Sequence, residues 1–468
     1  MRNPTKQNGA LLNGKRKTEN GKRSVVGMLC VVLFSTFYFP LSTFAAPYYP
    51  ELLYRYDHHL FVLNPNEHPS WRKTEEVWAY RGKEIAPPQA LRIDGDQVPG
   101  LPEGITRSLR SVWNSDAIAA TIASRIAAVL DRPRGEVTIR KEDDEITFEG
   151  VGFLGKEVDV ERTAALTIDA LERGITDIHL SVVEKQPIMH VLDSDLQDSG
   201  IREVIAIGES IFARSPSARR HNIRAGLSKF NGHTIAQGET FSFNEVLGPV
   251  NAQTGYVKEL VILGDKTLPD YGGGLCQVST TAYRGIWEYG YPIADRRNHS
   301  FAVSYYSPQG TDATIYPPYS DMKFVNDGPS DILIQTHVEG DSAFFIYYGM
   351  RDKREVEIIG PYVWDKREPP KDRTEYTTDL PPGETRIVGK AVPGMQSAWF
   401  RVTKEDGKET IDPFYSYYEA RPNFTQIGAS IVSKEPVTGL DSKDLLDNRQ
   451  KRLTKRKRSS RRSRHYQL

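Results

Sequence analysis

Apolar residues recur at helical spacing in four parts of the chain. The stretches DAIAATIASRIAAVL (116–130) and DVERTAALTIDALERG (159–174) each place one apolar face along a helix, and a glycine ends the second. A third apolar face precedes a Gly-Tyr-Pro stop at 290–292 and consists of Val278, Ala282, Ile286 and Tyr289. RRHNIRAGLSKF, which ends at an Asn-Gly turn, predicts the fourth helix.

Alternation of apolar and polar residues predicts strands between and after these helices. EVTIRKEDDEITFEG (136–150) is typical of a hairpin around an acidic turn, and DIHLSVVEKQPIM predicts a strand that ends at Pro187. Four more strands are predicted, the first two as a tight hairpin centred on Pro308-Gln309: HSFAVSYY (299–306), DATIYPP (312–318), DMKFVND (321–327) and DILIQTHV (331–338).

Together these elements predict an α+β fold made of several parts. The central part packs a helix on an antiparallel sheet, with a small α+β domain before it and a small all-β domain after it. The predicted parts are a signal peptide or membrane anchor (1–46), an irregular aromatic and Pro-rich region (47–109), the small α+β domain (110–190), the central domain (205–345), a β-rich module (353–428) and a basic tail (429–468).

The first 46 residues have the layout of an export signal. A basic stretch precedes an apolar run from Val25 to Phe44, and small residues follow at Ala45 and Ala46. The run is also long enough to span a bilayer, so a retained anchor is the alternative to cleavage. Either way, the remainder of the chain is predicted to be exported.

Charge is strongly segregated although the formal net charge is zero. Residues 449–464 hold ten Lys or Arg and no acid, and residues 24–448 hold 44 bases against 60 acids. The tail is therefore predicted to be a disordered arm that binds anionic wall polymers or anionic lipids, with no nucleic-acid partner expected. A solubilising tail that folds back on the acidic body is the alternative.

Cys276 is the only cysteine outside the N-terminal apolar segment, and it follows three glycines in DYGGGLCQVS. The glycines permit a sharp turn and place the thiol in the first turn of the next helix. Unpaired N–H groups and the helix dipole lower a thiol pKa there and donate to an oxyanion. His299 can return to this point and act as the base, which predicts a nucleophilic cysteine.

An acid that orients His299 would complete a triad. Asp312 matches by order along the chain, but a tight hairpin centred on Pro308-Gln309 places it about 20 Å from His299. The same register brings Asp321 close to His299, so the hairpin favours Asp321, whereas Asp312 requires a wide loop.

Other interpretations of these residues stay open. Cys276 can be an inert packing residue, because cysteine is among the most buried residue types. A metal site that combines Cys276 with His299 and His233 lacks the tight spacing of known sites. Adjacent His58 and His59 would point to opposite faces of a strand, which disfavours a metal pair. No metal and no cofactor are predicted.

Three segments of the chain resemble known domains or enzymes. A cysteine at a helix start, then a histidine and an acid, resembles the transglutaminase-like and papain-like cysteine enzymes. EGVGFLGKEVDVERTAALTIDAL with VVEKQPIM resembles the peptidoglycan-binding domain found upstream of several cell-wall enzymes. RHNIRAGLSKFNGHTIAQGETFSFNEVLGPVNAQTGY, GGGLCQVSTTAYRG and NHSFAVSYYSPQGTDATI strongly resemble the VanW domain over about 205–345. The last resemblance implies association with the cell wall.

Five residues in these motifs are candidates for substrate binding. Arg220 and Asn222 could position a carboxylate or amide of a stem peptide, Gln277 could add an oxyanion donor, and Gly273 with Gly274 lets the backbone approach a ligand. Structural bonds are the alternative for the three side chains.

The sequence thus leads to two hypotheses. In the first, an exported envelope protein binds peptidoglycan and uses Cys276 to hydrolyse or transfer amide bonds of wall peptides. In the second, the protein is a non-catalytic binder or scaffold with a structural Cys276.

Overall fold

The upstream part of the chain consists of short sheets packed around helices. The computed structural model describes residues 48–87, 103–143, 145–263 and 266–429, so the predictions for 1–46 and 430–468 lie outside the described residues. Its strands are β1 (Leu52–Tyr56), β2 (His59–Leu63), β3 (Arg72–Tyr80), β4 (Lys83–Ile85), β5 (Ile105–Trp113), β6 (Glu136–Glu142), β7 (Glu145–Val151), β8 (Gly155–Val158), β9 (Asp177–His179), β10 (Val182–Lys185) and β11 (Ile188–Val191). Its helices are α1 (Ser115–Ile122), a π-turn (Ala123–Ala127), α2 (Ala128–Leu130) and α3 (Val160–Arg173).

These elements confirm the two predicted helices and the 136–150 hairpin, and the described residues of 47–109, predicted as irregular structure with short strands, contain β1 to β4 and the start of β5. β1 pairs with β2 and runs parallel to β9, which joins it to the predicted α+β domain. Tyr54 of β1 is fully buried, and its hydroxyl bonds Thr167 of α3 at 3.0 Å. The β1–β2 hairpin was not predicted from the sequence, because its two strands are short and flank a turn at Asp57 (φ 50°).

The central part combines short and long helices with small sheets and one larger sheet. Its elements are α4 (Ser194–Asp198), β12 (Glu203–Ile211), α5 (Ser217–Ser228), β13 (Thr234–Ile235), β14 (Thr240–Ser242), α6 (Phe243–Leu247), β15 (Lys258–Leu263), β16 (Lys266–Tyr271), α7 (Leu275–Tyr289), β17 (Ile293–Asp295), β18 (Lys323–Val325), β19 (Ile332–Glu339) and β20 (Ser342–Gly349). Short 3-10 turns lie at Ala252–Thr254 and Ser304–Tyr306.

The larger sheet has the antiparallel order β12-β20-β19-β13 and is covered on both faces. Alternate residues of β20 belong to two different cores, because successive side chains of a strand point to opposite faces. Phe345 and Tyr347 pack in the core that contains α7, whereas Phe344 and Ile346 pack against the β6–β7 hairpin. The predicted helix on an antiparallel sheet is therefore present, within a mixed α+β fold. The papain- or transglutaminase-like outline stays a prediction.

Two glycines let α7 lie directly against β12. A Cβ on Gly208 of β12 would come within 1.9 Å of the carbonyl oxygen of Thr281. A Cβ on Gly285 of α7 would come within 2.5 Å of the Gly208 nitrogen. Backbone therefore touches backbone at this crossing, and the sheet fixes the position of α7.

The downstream part is all β, as predicted, and consists of two three-stranded sheets. Its strands are β21 (Glu355–Arg367), β22 (Arg373–Thr377), β23 (Thr385–Gly389), β24 (Gly394–Glu405), β25 (Lys408–Tyr418) and β26 (Phe424–Gly428). β21-β24-β25 form one sheet and β22-β26-β23 form the other. Trp399 of β24 is fully buried and packs edge-on against Trp287 of α7 with ring centroids 5.6 Å apart, so this part is docked on the central one.

Among the residues described, none of the helices combines the length and apolar character that a bilayer crossing requires.

A buried carboxyl–imidazole pair links the β1–β2 turn to α7 and makes stability depend on pH. Glu288 accepts from the His58 backbone at 3.0 Å and lies 2.5 Å from His58 Nδ1. Burial raises the pKa of Glu288 to about 8 and lowers that of His58. The folded pair thus keeps one proton up to about pH 8, whereas the unfolded chain holds none once its histidine titrates near 6.5. Between about pH 4.5 and 6.5 both states hold one proton and the pair's contribution to stability is constant; above pH 6.5 this contribution is lost as pH rises through 8.

We expect urea unfolding to show a loss of about 2 kcal/mol between pH 6.5 and 8.5. Glu288→Gln should flatten this dependence, because the variant has no carboxyl to hold the proton. Glu172→Gln, which changes an exposed acid, is the matched control and should keep the wild-type slope. An unchanged slope in Glu288→Gln would assign the pH dependence to another group.

Candidate functional site

The loop before α7 needs its glycines for packing. Gly272 and Gly274 adopt positive φ angles of 80° and 113°. A Cβ on Gly273 would lie 2.7 Å from the carbonyl oxygen of Leu260 in β15. The triple glycine thus lets the chain pass the β15–β16 hairpin and begin α7, with Cys276 as the second residue of the helix.

Cys276 is partly exposed and contacts two residues of the 312–316 loop. Its Sγ lies 3.4 Å from Thr314 Oγ1 and donates to the carbonyl oxygen of Ile315 at 3.6 Å. Burial raises the pKa of the thiol. A hydrogen bond and the charge of His299, together with the Thr314 and Ile315 contacts, lower it by more than burial raises it, so the pKa is about 7. The thiol therefore loses its proton far more easily than an ordinary cysteine.

His299 is held between Cys276 and Asp312. Its Nδ1 lies 2.6 Å from Asp312 Oδ2, and its backbone N–H donates to the same oxygen at 2.8 Å. The imidazole stacks on Tyr306 with centroids 4.4 Å apart. Burial lowers the pKa of His299, but the bonds to Asp312 and Cys276 raise it to about 9. Between about pH 7 and 9 a thiolate thus faces an imidazolium.

Asp312 is almost fully buried and remains charged because it has four donors. Besides the two groups of His299, Arg296 Nη2 donates to its Oδ1 at 3.3 Å and the hydroxyl of Tyr418 donates at 2.5 Å. Burial raises the pKa of Asp312, but His299 and Arg296 lower it well below its usual range. Such a carboxylate fixes the tautomer and orientation of His299.

The predicted strands 299–306 and 312–318 are wrong, and this changes the third member of the cluster. The segment is a wide loop in which Thr314 N donates to the carbonyl of Arg297 at 2.7 Å. Other carbonyls of the loop accept from arginine side chains instead of a neighbouring strand. These bonds join Arg284 to Tyr306 and Ser307, and Arg296 to Gly310 and Asp312.

Asp321 does not orient His299, contrary to the register of the predicted hairpin. Its Oδ2 accepts from Ser242 Oγ at 2.6 Å and its Oδ1 accepts from the Asn244 backbone at 3.0 Å. It therefore satisfies the first turn of α6, and the wide loop brings Asp312 to His299 instead.

The predicted substrate-binding side chains are engaged inside the protein. Arg220 pairs with Asp341 and donates to the Ser215 carbonyl. Buried Asn222 donates to the carbonyls of Val257 and Gly273, so it holds the glycine loop in place. These contacts favour the structural alternative for both residues.

Gln277 is also fully used by structural bonds. Its Oε1 accepts from Arg219 at 2.7 Å, and its Nε2 donates to Ser210 Oγ and to the Ile211 carbonyl. It is completely buried, so it has no donor left for an oxyanion. The backbone N–H groups of Leu275 and Gln277 donate to the carbonyls of Gly272 and Gly274, which leaves the N–H of Cys276 itself as the candidate oxyanion donor at the start of α7.

The alternatives that involve metals find no support in these contacts. The His233 ring packs on Phe241 at 5.9 Å, and the rings of His58 and His59 lie against each other with centroids 4.3 Å apart and planes tilted by 30°, instead of pointing to opposite faces. Within the described ranges, His, Cys, Asp and Glu form no group of three or more that could hold a metal ion.

Three groups of the cluster were not found from the sequence: Tyr306, Arg296 and Tyr418. The first two lie within ten residues of His299 or Asp312, so proximity along the chain was an available signal. Tyr418 is more than a hundred residues from both, and no local pattern marks it.

The fold and this cluster define an α+β protein that carries a cysteine, a histidine and an aspartate at the start of a buried helix. Residues 218–347 match the family model "VanW like protein", and residues 363–428 match the G5 domain model. The chain therefore contains a VanW domain, which holds Cys276, His299 and Asp312, and a G5 domain, which holds Tyr418.

Curated relatives support the same assignment. "Uncharacterized protein YoaR" of Bacillus subtilis (strain 168) is 34% identical over 137 residues, which are 29% of this chain and 45% of the relative. "Vancomycin B-type resistance protein VanW" of Enterococcus faecalis (strain ATCC 700802 / V583) is 29% identical over 138 residues, or 28% and 49% of the two chains. The chain thus spans about half the length of the curated relatives it matches.

A solved structure, "Crystal structure of HP0197-G5", is similar over 16% of this chain and 100% of its own, with 15% identity and a TM-score of 0.09.

Proposed function

We propose that this protein is an exported cell-envelope protein that binds peptidoglycan and uses Cys276 to hydrolyse or transfer an amide bond of wall peptides. The observation that carries the proposal is the buried chain of contacts from the Cys276 thiol through His299 to Asp312. This order of groups resembles that of papain-like and transglutaminase-like enzymes. A partly exposed thiol with a pKa near 7 is the nucleophile that such chemistry requires.

The reaction follows from the positions of the three groups. The Cys276 thiolate attacks the carbonyl carbon of the amide, and the backbone N–H of Cys276 donates to the oxyanion that forms. The His299 imidazolium gives its proton to the leaving amine as the C–N bond breaks, which leaves a thioester on Cys276. Neutral His299 then takes a proton from water or from a second amine, and the oxygen or nitrogen left behind attacks the thioester, which breaks the C–S bond and restores the Cys276 thiolate beside the His299 imidazolium.

The location rests on separate features. VanW and G5 domains occur together here, and the N-terminal apolar run has the layout of an export signal. The basic tail beyond residue 448 carries charge that suits anionic wall polymers or lipid head groups. We infer peptidoglycan as the main partner, with the upstream α+β domain and the G5 domain as its binding parts.

One observation favours a second candidate, a non-catalytic wall-binding protein. His299 is only 3% exposed, and Cys276 makes two structural contacts with the 312–316 loop. A thiol held in this way can serve packing alone, and the domain would then recognise a wall component without altering it.

Incubation with purified peptidoglycan and free stem peptides tests the proposal. Mass spectrometry should detect a liberated amine or a new amide, and Cys276→Ala should reduce the rate by roughly 1,000-fold or more, because no other group replaces the nucleophile. Ser279→Ala is the matched control, since Ser279 lies one turn along α7 and is fully buried. It should keep the wild-type rate.

Equal product with wild type and Cys276→Ala would contradict the proposed chemistry. Sedimentation of both proteins with peptidoglycan, without any product, would instead establish the non-catalytic binder.

A further inference from the structure

The end of strand β25 reaches from the G5 domain into the cluster of the VanW domain. The Tyr418 hydroxyl donates to Asp312 Oδ1 at 2.5 Å, and both side chains are at most 1% exposed. We propose that Tyr418 is a positioning residue for the Asp312–His299 pair, so that the G5 domain completes the site of the VanW domain. This inference rests on the proposed function and deepens it.

The direction of this hydrogen bond is fixed by its surroundings. The Gly310 backbone N–H donates to the Tyr418 oxygen at 2.8 Å, which leaves the hydroxyl proton for Asp312. The carboxylate can only accept. Burial and the charge of Asp312 raise the pKa of Tyr418 well above its usual range, so the proton stays on the phenol.

Neighbouring residues of β25 hold Tyr418 at the site. Ser416 Oγ accepts from Arg296 Nη1 at 2.9 Å, and the Tyr417 carbonyl accepts from Asn298 Nδ2 at 2.7 Å. Just past the strand, Glu419 N donates to the Ser300 carbonyl at 2.7 Å. The strand therefore runs along the 296–300 segment and encloses His299.

A second anchor lies beside Asp312. Trp399 Nε1 of the G5 domain donates to the Gln309 carbonyl at 2.8 Å. The next residue is Gly310, and a Cβ added there would lie 2.7 Å from the same indole ring. The G5 domain thus fixes both the loop that carries Asp312 and the carboxylate itself.

Once the Tyr418 hydroxyl is removed, Arg296 is the donor that remains on Oδ1 among the residues the structure describes. The carboxylate is then free to turn toward the guanidinium and to draw Oδ2 away from His299 Nδ1. A weaker His299–Asp312 bond stabilises the imidazolium less, and the thiolate that pairs with it forms at higher pH. If the carboxylate does not turn, the loss of the Tyr418 donor has the opposite effect: the Asp312 carboxylate becomes a stronger acceptor for His299, and the Cys276 thiolate forms at lower pH. The direction in which the alkylation midpoint moves in Tyr418→Phe therefore distinguishes these two effects.

The test is the rate of Cys276 alkylation by iodoacetamide against pH, in the full chain with Cys30→Ser so that one cysteine remains. Tyr418→Phe should move the midpoint upward by about half to one pH unit. In an Asp312→Asn background Tyr418→Phe should have no further effect, because it acts through Asp312. Tyr415→Phe, which removes a hydroxyl 64% exposed on the same strand, is the control and should leave the curve unchanged.

Thermal unfolding shows whether each variant is folded. Ser416→Ala, which removes one of the two hydrogen bonds from Arg296 to the same strand, should give a smaller upward change and serves as the test if Tyr418→Phe does not fold. An unchanged or lowered midpoint in folded Tyr418→Phe overturns the inference. A wild-type midpoint near 9 would overturn the proposed function itself, so the two failures are distinguishable.

Discussion

Replacement of His299 by alanine is expected to slow alkylation of Cys276 at pH 7 by roughly tenfold or more. In the wild type the pKa of the thiol is about 7, and half of it is ionised at that pH. Without the imidazole, burial is opposed only by the Thr314 and Ile315 contacts, and the pKa of the thiol rises toward that of an ordinary cysteine. The lost thiolate fraction is larger than the gain in intrinsic nucleophilicity that a higher pKa brings.

The rate of iodoacetamide labelling between pH 5.5 and 10 measures this effect. The wild-type curve should rise through about pH 7, and the His299→Ala curve should rise near 9 or higher. His233→Ala removes a histidine of the same domain that packs on Phe241 and should not change the curve. Labelling that requires unfolding in every variant would make Cys276 a packing residue.

Gly208→Ala is expected to destabilise the protein by about 3 kcal/mol or more. Its Cβ would lie 1.9 Å from the carbonyl oxygen of Thr281, which belongs to the backbone of α7 and cannot rotate away. The helix must then move off β12 and open the core that holds Val278, Ala282 and Ile286. Urea unfolding followed by circular dichroism measures the loss.

Gly226→Ala provides the matched control for this change. Its Cβ would meet the end of the Leu275 side chain at 2.5 Å, and a side chain can adjust where a backbone carbonyl cannot. Alanine also has the higher helix propensity within α5. We expect a change within about 1 kcal/mol. An equal loss of unfolding free energy in both variants would mean that close backbone packing between α7 and β12 does not determine the effect of Gly208→Ala.

The fold was predictable where one pattern determined the local structure. The 3.6-residue periodicity before Gly290 gave α7 with its correct end, and the acidic turn after β6 gave the β6–β7 hairpin. The alternation of apolar and polar residues in 299–318 wrongly predicted two paired strands. Backbone carbonyls of this segment accept hydrogen bonds from Arg284 and Arg296 instead of from a neighbouring strand. No periodicity reveals a loop that is held by arginine side chains from elsewhere.

The site was predictable only in part, for the same reason. A lone cysteine after three glycines and a following histidine identify Cys276 and His299 from chain order alone. The choice between Asp312 and Asp321 depended on an assumed turn, and the wide loop reverses it. Tyr418 approaches Asp312 only because two domains pack together, which is a tertiary property.

The strand on which α7 rests lies outside the segment that matches the VanW family model. β12 ends at Ile211, whereas the matched segment begins at residue 218. A polypeptide trimmed to that segment would leave β20 with an unpaired row of N–H and C=O groups and Gly285 facing solvent. Open sheet edges of this kind recruit strands from other molecules. The part of the chain that packs around α7 is thus larger than the part that matches the family model, and the boundaries for domain exchange or recombinant dissection lie upstream of β12.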